Sequence, residues 1–144
     1  MTNNIVTKYE VLKEAGAIFA SAITTPFVEL DNYKYVDFVV LSGEGTEAET
    51  TVTMVGKNGE DSEEVAIPFR EKIGACEYAN IAETGKSISI GGEEGACGYA
   101  VFRVSTDHLA KDEINMVALK TTAVASLEVA GGILAVCYEP RYSE

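Results

Sequence analysis

His108 follows Asp107 directly, and a histidine beside a carboxylate is the raw material of acid–base chemistry. Adjacent residues on a turn point apart, and no serine or cysteine has a defined place beside this pair. The pair therefore predicts a solvated turn histidine and no catalytic residue. Gly85-Lys86-Ser87 ends like a phosphate-binding loop, but the first glycine of that motif would fall on Asn80. No G-x-S-x-G nucleophile elbow is present.

Metal and redox chemistry are equally thin. The cysteines Cys76, Cys97 and Cys137 are widely spaced and odd in number, so they do not form a disulfide framework. With one histidine and no C-x-x-C pair, the chain lacks four zinc ligands at short spacing. Cys137 alternates with Ile133 and Ala135, as a core thiol would. Cys97 lies in a glycine-rich loop, and a disulfide between subunits through Cys76 or Cys97 stays open. Three acidic groups are candidate calcium ligands: Glu44, Glu47 and Glu49; Glu60, Asp61, Glu63 and Glu64; and Glu93 with Glu94. None matches a helix–loop–helix calcium loop, and solvated loop charge is the simpler account. Calcium is thus the only cofactor considered, and the expectation is none. Tyr33, Tyr35 and Tyr78 are candidates for a sugar-stacking platform.

The whole chain bounds these possibilities. Its 144 residues carry 23 acids against 11 bases, a net charge of −12. That field repels phosphate backbones and anionic lipid surfaces, so neither nucleic acid nor membrane is an expected partner. The length suits one domain. Met1-Thr2-Asn3-Asn4 has no basic region leading into an apolar one, and no apolar run approaches a membrane helix. The expectation is a soluble chain made in the cytoplasm.

Short strands separated by turns are the elements that would position these residues. Residues 35–41 (YVDFVVL) form a nearly continuous apolar run, which suits a strand covered on both faces. Residues 50–55 alternate Thr with Val52 and Met54. Asn58-Gly59 is a strong turn signal. Val65, Ile67 and Phe69 alternate, with Pro68 placing that strand at an edge or a bulge. Ile88 and Ile90 mark another strand. Ala100, Phe102 and Val104 share one face of residues 99–104. Residues 105–111 suggest one helical turn, residues 116–122 and 133–138 the last strands, and Gly131-Gly132 the break before the final one. About seven strands with little helix predict an all-β fold, an antiparallel β-sandwich or jelly roll. Residues 1–30 read as an N-terminal arm or segment, and 31–144 as the sandwich body. Within the arm Val11, Leu12, Ala15, Ile18 and Phe19 have a rough helical spacing that Gly16 interrupts, and 19–23 fits a strand equally well.

The order of segments resembles a group of small, mostly uncharacterised proteins of phage and prophage structural gene clusters. The likeness runs through Phe27-Val28-Glu29-Leu30-Asp31-Asn32-Tyr33 and Val36-Asp37-Phe38-Val39-Val40-Leu41-Ser42-Gly43-Glu44-Gly45. It continues in the Thr/Val strand at 50–55, Ala66-Ile67-Pro68-Phe69-Arg70, and Val101-Phe102-Arg103-Val104-Ser105-Thr106-Asp107. It ends at Ala135-Val136-Cys137-Tyr138-Glu139-Pro140-Arg141-Tyr142. It is a likeness of pattern over residues 25–142. The cysteines and the Glu93-Glu94 loop depart from it. The resemblance implies a non-enzymatic bacteriophage virion protein that decorates or stabilises the capsid, made in the host cytoplasm. Its partners would be the major capsid protein or other virion proteins. A tail or neck component, or a virion-displayed glycan- or host-binding module, are the alternatives. A homo-oligomer is expected, since decoration relies on symmetric patches. The interface candidates are the apolar Ile18, Phe19 and Phe27 and the terminal Arg141 and Tyr142, residue types suited to contacts. On this expectation, removing the first 30 residues weakens capsid binding and leaves the body folded.

Overall fold

The computed structural model describes residues 8–17, 19, 22–30, 33–43, 45–59, 61–73, 79–81, 85–92, 98–105, 114–123 and 130–140. Among the described residues twelve strands follow one another, and there is no helix. They are β1 (Lys8–Ala17), β2 (Ile23–Thr24), β3 (Val28–Glu29), β4 (Tyr33–Ser42), β5 (Gly45–Lys57) and β6 (Val65–Ala66). Then come β7 (Phe69–Ile73), β8 (Ala79–Ile81), β9 (Lys86–Gly92), β10 (Gly98–Ser105), β11 (Met116–Thr121) and β12 (Ala130–Pro140). Sheet A has the order β1-β12-β4-β10-β7-β8, and sheet B the order β2-β11-β5-β6, with β3 on β11 and β9 on β5. Every pairing is antiparallel, and the two sheets form a β-sandwich.

Period-two alternation explains the strands at the centre. In β4 and β10 the register sets Phe38 opposite Phe102, Val40 opposite Ala100 and Val36 opposite Val104, and all six side chains are buried. Ile133, Ala135 and Cys137 of β12 extend the same layer beyond β4. A one-residue slip would turn all these side chains outward, so burial of one face locks the pairing. Phe69 meets Phe102 edge to face, with ring centroids 5.7 Å apart. Sheet B supplies Val52, Met54, Ile88, Ile90, Val117 and Leu119 to the same core.

Turn chemistry places the crossover between sheets. Gly59 adopts φ 85°, which suits glycine, and its amide donates to Asn115 Oδ1 at 3.0 Å. The Asn58 amide donates to Ser62 Oγ at 2.7 Å. Pro68 lies between β6, at an edge of sheet B, and β7, in sheet A. The segment 65–69 is therefore two strands in different sheets.

Residues 1–30 do more than an arm would. Their described part contributes β1, β2 and β3 to both sheets, and Phe19, Ile23, Val28 and Leu30 are in the core. β1 lies along β12 with two register shifts, and residues 11–17 are strand and not helix. Gly131 and Gly132 do not break the chain before the last strand; they lie inside β12, opposite Ser42 and Leu41. The helical turn expected at 105–111 falls outside the described residues beyond Ser105, which ends β10.

Candidate functional site

Of the five expected contact residues, Phe19 and Phe27 have described side chains. Phe19 is 0% exposed and packs in the core, so it cannot anchor a partner. Phe27 is half-buried with the Lys57 ammonium 4.3 Å from its ring centroid, a cation–π contact within the chain. Ile18, Arg141 and Tyr142 lie outside the described residues, as do His108, Cys76, Cys97, Tyr78, Glu44, Glu60, Glu93 and Glu94. Cys137 is a free, buried thiol. Glu47, Glu49, Asp61, Glu63 and Glu64 are exposed, and Glu64 pairs with Lys120 at 2.7 Å. Among the described residues no three His, Cys, Asp or Glu side chains come close enough to share a metal ion.

A different surface stands out once the register is known. The outward residues of β4 include Val39 and Leu41, those of β10 Tyr99 and Val101, and those of β12 Leu134 and Val136. Tyr99 lies directly opposite Leu41, Val101 opposite Val39, and Leu134 beside Val39 on the other side. These three strands are neighbours, so the six side chains form one apolar strip across the outer face of sheet A. Leu41 is 46% exposed and Tyr99 48%, while the other four are half-buried. A sheet with one solvated face normally carries polar residues there. Sheet B provides the contrast. Its outward Glu49, Thr51, Thr53, Ser87 and Ser89 are polar, and its outward Val55, Met116 and Ala118 are buried.

One charged group interrupts the strip. The Arg103 guanidinium grips Asp37, with Nε donating to Oδ1 at 2.9 Å and a second nitrogen donating to Oδ2 at 3.3 Å. The two residues face each other across β10 and β4. Arg103 also lies 4.8 Å from the ring centroid of Tyr35, with Lys34 at 5.6 Å from the same ring. The fork geometry and the aromatic face hold the guanidinium in place. On β12, β4, β10 and β7, Asp37 is the sole outward acid among residues with described side chains, and Arg70 adds a second outward cation. Residue types at 39/41, 99/101 and 134/136 carried the signal for this face; a strand reading apolar at both parities has something to cover on each side.

The gap between the sheets holds a second feature. A cleft of about 360 Å³ is lined by Val40, Ser42, Tyr99 and Ala100 of sheet A and by Lys86, Ser87, Ile88, Ser89 and Ile90 of β9. Five consecutive β9 residues alternate in direction, so the cleft runs along the main-chain edge of that strand. On β7, Glu71 points inward opposite Phe102 and is 5% exposed. Its Oε1 has no hydrogen-bond partner. Burial pushes its carboxyl pKa above the ordinary 4.5, and the Lys86 ammonium pulls the other way.

No family model, curated protein or solved structure matches the chain.

Proposed function

We propose that this protein is a non-enzymatic assembly component that adheres to a partner through the outer face of sheet A. In this reading it decorates or stabilises a bacteriophage capsid, with the major capsid protein or another virion protein as its wider setting. The observation that carries the adhesive role is the apolar strip of Val39, Leu41, Tyr99, Val101, Leu134 and Val136 on the face of sheet A turned away from sheet B, with Leu41 and Tyr99 about half exposed. Contiguous exposed apolar surface on a soluble domain marks an interaction site. The phage setting is supported by the resemblance of residues 25–142 to virion proteins. The non-enzymatic role is supported by a sequence that offers no nucleophile elbow, phosphate loop or zinc-ligand set.

Purified particles test this reading. Virions from cells expressing the chain with its neighbouring structural genes are expected to contain it in a fixed ratio to the major capsid protein. Particles made with Leu41→Glu/Tyr99→Glu are expected to lose it while the variant accumulates unbound. Absence of the parent chain from particles would defeat the virion role. Antibody labelling of intact particles separates heads, the expected location, from tail or neck.

A further inference from the structure

We infer that a second copy of this chain covers the outer face of sheet A, the two copies packing sheet on sheet about a two-fold axis. The inference rests on the reading of that face as an interface and names its occupant. Three observations carry it.

The first is area. Sheet A is six strands wide, and β10 and β4 pair over eight residues. Its strands hold 10, 11, 10, 8, 5 and 3 residues in sheet order, and at about 4.8 Å between strands and about 3.3 Å per residue each residue covers about 16 Å² of the sheet. Together that is roughly 750 Å² per copy, close to the ~800 Å² that each side of a standard stable interface buries. Sheets can also meet face to face, since sheet-on-sheet packing at about 10 Å is the way this fold already fills its interior.

The second is self-complementarity. A two-fold contact needs one patch that tolerates its own copy. The apolar strip does, and its single charge pair is already satisfied by Arg103 gripping Asp37. No ionised group of that pair is stranded when water leaves.

The third is charge. Each chain carries −12, so two copies repel. On sheet B the exposed acids Glu29, Glu47 and Glu49 outnumber the outward cations Lys57 and Lys120. On the four central strands of sheet A the outward described charges are Asp37, Arg103 and Arg70. This is the strand face on which like-charged copies approach with least repulsion.

The charge argument gives the test its sign. Salt screens repulsion between the acidic bodies, so pairing of two copies tightens as ionic strength rises. Docking of this acidic chain on a basic partner would weaken instead. Sedimentation velocity on the full chain across micromolar concentrations, at low and high sodium chloride, is expected to show a monomer–dimer equilibrium that shifts toward dimer with salt. Leu41→Glu/Tyr99→Glu is expected to raise the dissociation constant roughly tenfold or more. Ser89→Glu, on the outer face of sheet B, leaves it unchanged. Both altered residues in the first variant are half-exposed, and an unchanged circular dichroism spectrum checks folding. A parent chain that stays monomeric, a stoichiometry other than two, a dimer indifferent to the double substitution, or pairing that weakens with salt would each overturn the inference. A monomeric parent whose double variant is still lost from particles would leave the proposed function standing and refute the second copy alone.

Discussion

Glu71 is a carboxylate inside a sandwich, facing the gap between sheets with one oxygen unpaired. Burial disfavours its charged form, so its folded-state pKa lies above the ordinary 4.5. The sign of the pH dependence follows from linkage. The stability associated with the protonated group is full below the unfolded-state pKa and is lost as pH rises through the higher folded-state value. Glu71→Gln keeps the shape and cannot ionise. The variant is expected to exceed its parent in stability at about pH 7, by about 1 kcal/mol, the lower end of what an unsatisfied buried polar group costs. The gap should close toward about pH 4. Urea unfolding at the two pH values measures it, and a gap that does not change with pH would refute the assignment. Thr25 shows the opposite case of a buried hydroxyl put to use. Its Oγ1 accepts from the Leu119 amide at 3.0 Å while its own amide donates to the Leu119 carbonyl at 3.0 Å. Thr25→Val is expected to cost about 1–2 kcal/mol, because it strands the Leu119 amide in the core. Thermal unfolding of the purified variant checks it.

Among the elements, β1 to β3 decide how the two ends of the chain are joined. β1 pairs Lys8 with Cys137 and Ala17 with Ala130, so the first strand forms the edge beside the last. Phe19 follows and tucks under β12 at Gly131, where an added Cβ would strike the Phe19 ring and sit 2.6 Å from the Leu41 carbonyl oxygen. Gly131→Ala is therefore expected to destabilise by about 1–3 kcal/mol, the usual cost of overfilling a packed site. Calorimetry of the variant measures it, and an unchanged midpoint would show that Phe19 yields freely. Deleting residues 1–30 removes the buried side chains of Phe19, Ile23, Val28 and Leu30. At about 1.5–3 kcal/mol each, the loss matches the ~5–15 kcal/mol total stability of a typical domain. The truncated chain is expected to be unfolded by circular dichroism, contrary to an arm hung on an independent body. These elements were hard to read in the sequence for separate reasons. β1 carries Lys and Glu at positions that mimic a helical stripe, and its strand form comes from pairing with distant β12. β2 and β3 have two residues each, too short to display a period.

For the molecule as a whole, the distribution of charge sets behaviour in solution. Excess acid destabilises any compact state by self-repulsion, and added salt relieves it. The midpoint of thermal unfolding is expected to rise with sodium chloride, read on the double variant Leu41→Glu/Tyr99→Glu so that self-association does not contribute. A midpoint independent of salt would mean that the acids are too well spread to matter. Among the described side chains, the outer faces of β4, β10, β12 and β7 carry one acid, Asp37, which is why the proposed contact is placed there.

Local chemistry was enough to specify the all-β class, the inner faces of β10 and β12, and the turn at Asn58-Gly59. Each depends on alternation or on a backbone angle that neighbouring residues dictate. The run at 35–41 suggested a strand covered on both faces, whereas Leu41 on its outer face is 46% exposed. Which face of β4 the second sheet would take depended on strands brought together from both ends of the chain. Phe19 and Leu41 illustrate the division: both are large apolar side chains, and the order of strands buries one at 0% exposure and leaves the other at 46%. Hydrophobicity sets the demand for burial, whereas the pairing of distant strands decides which demands the chain meets within itself.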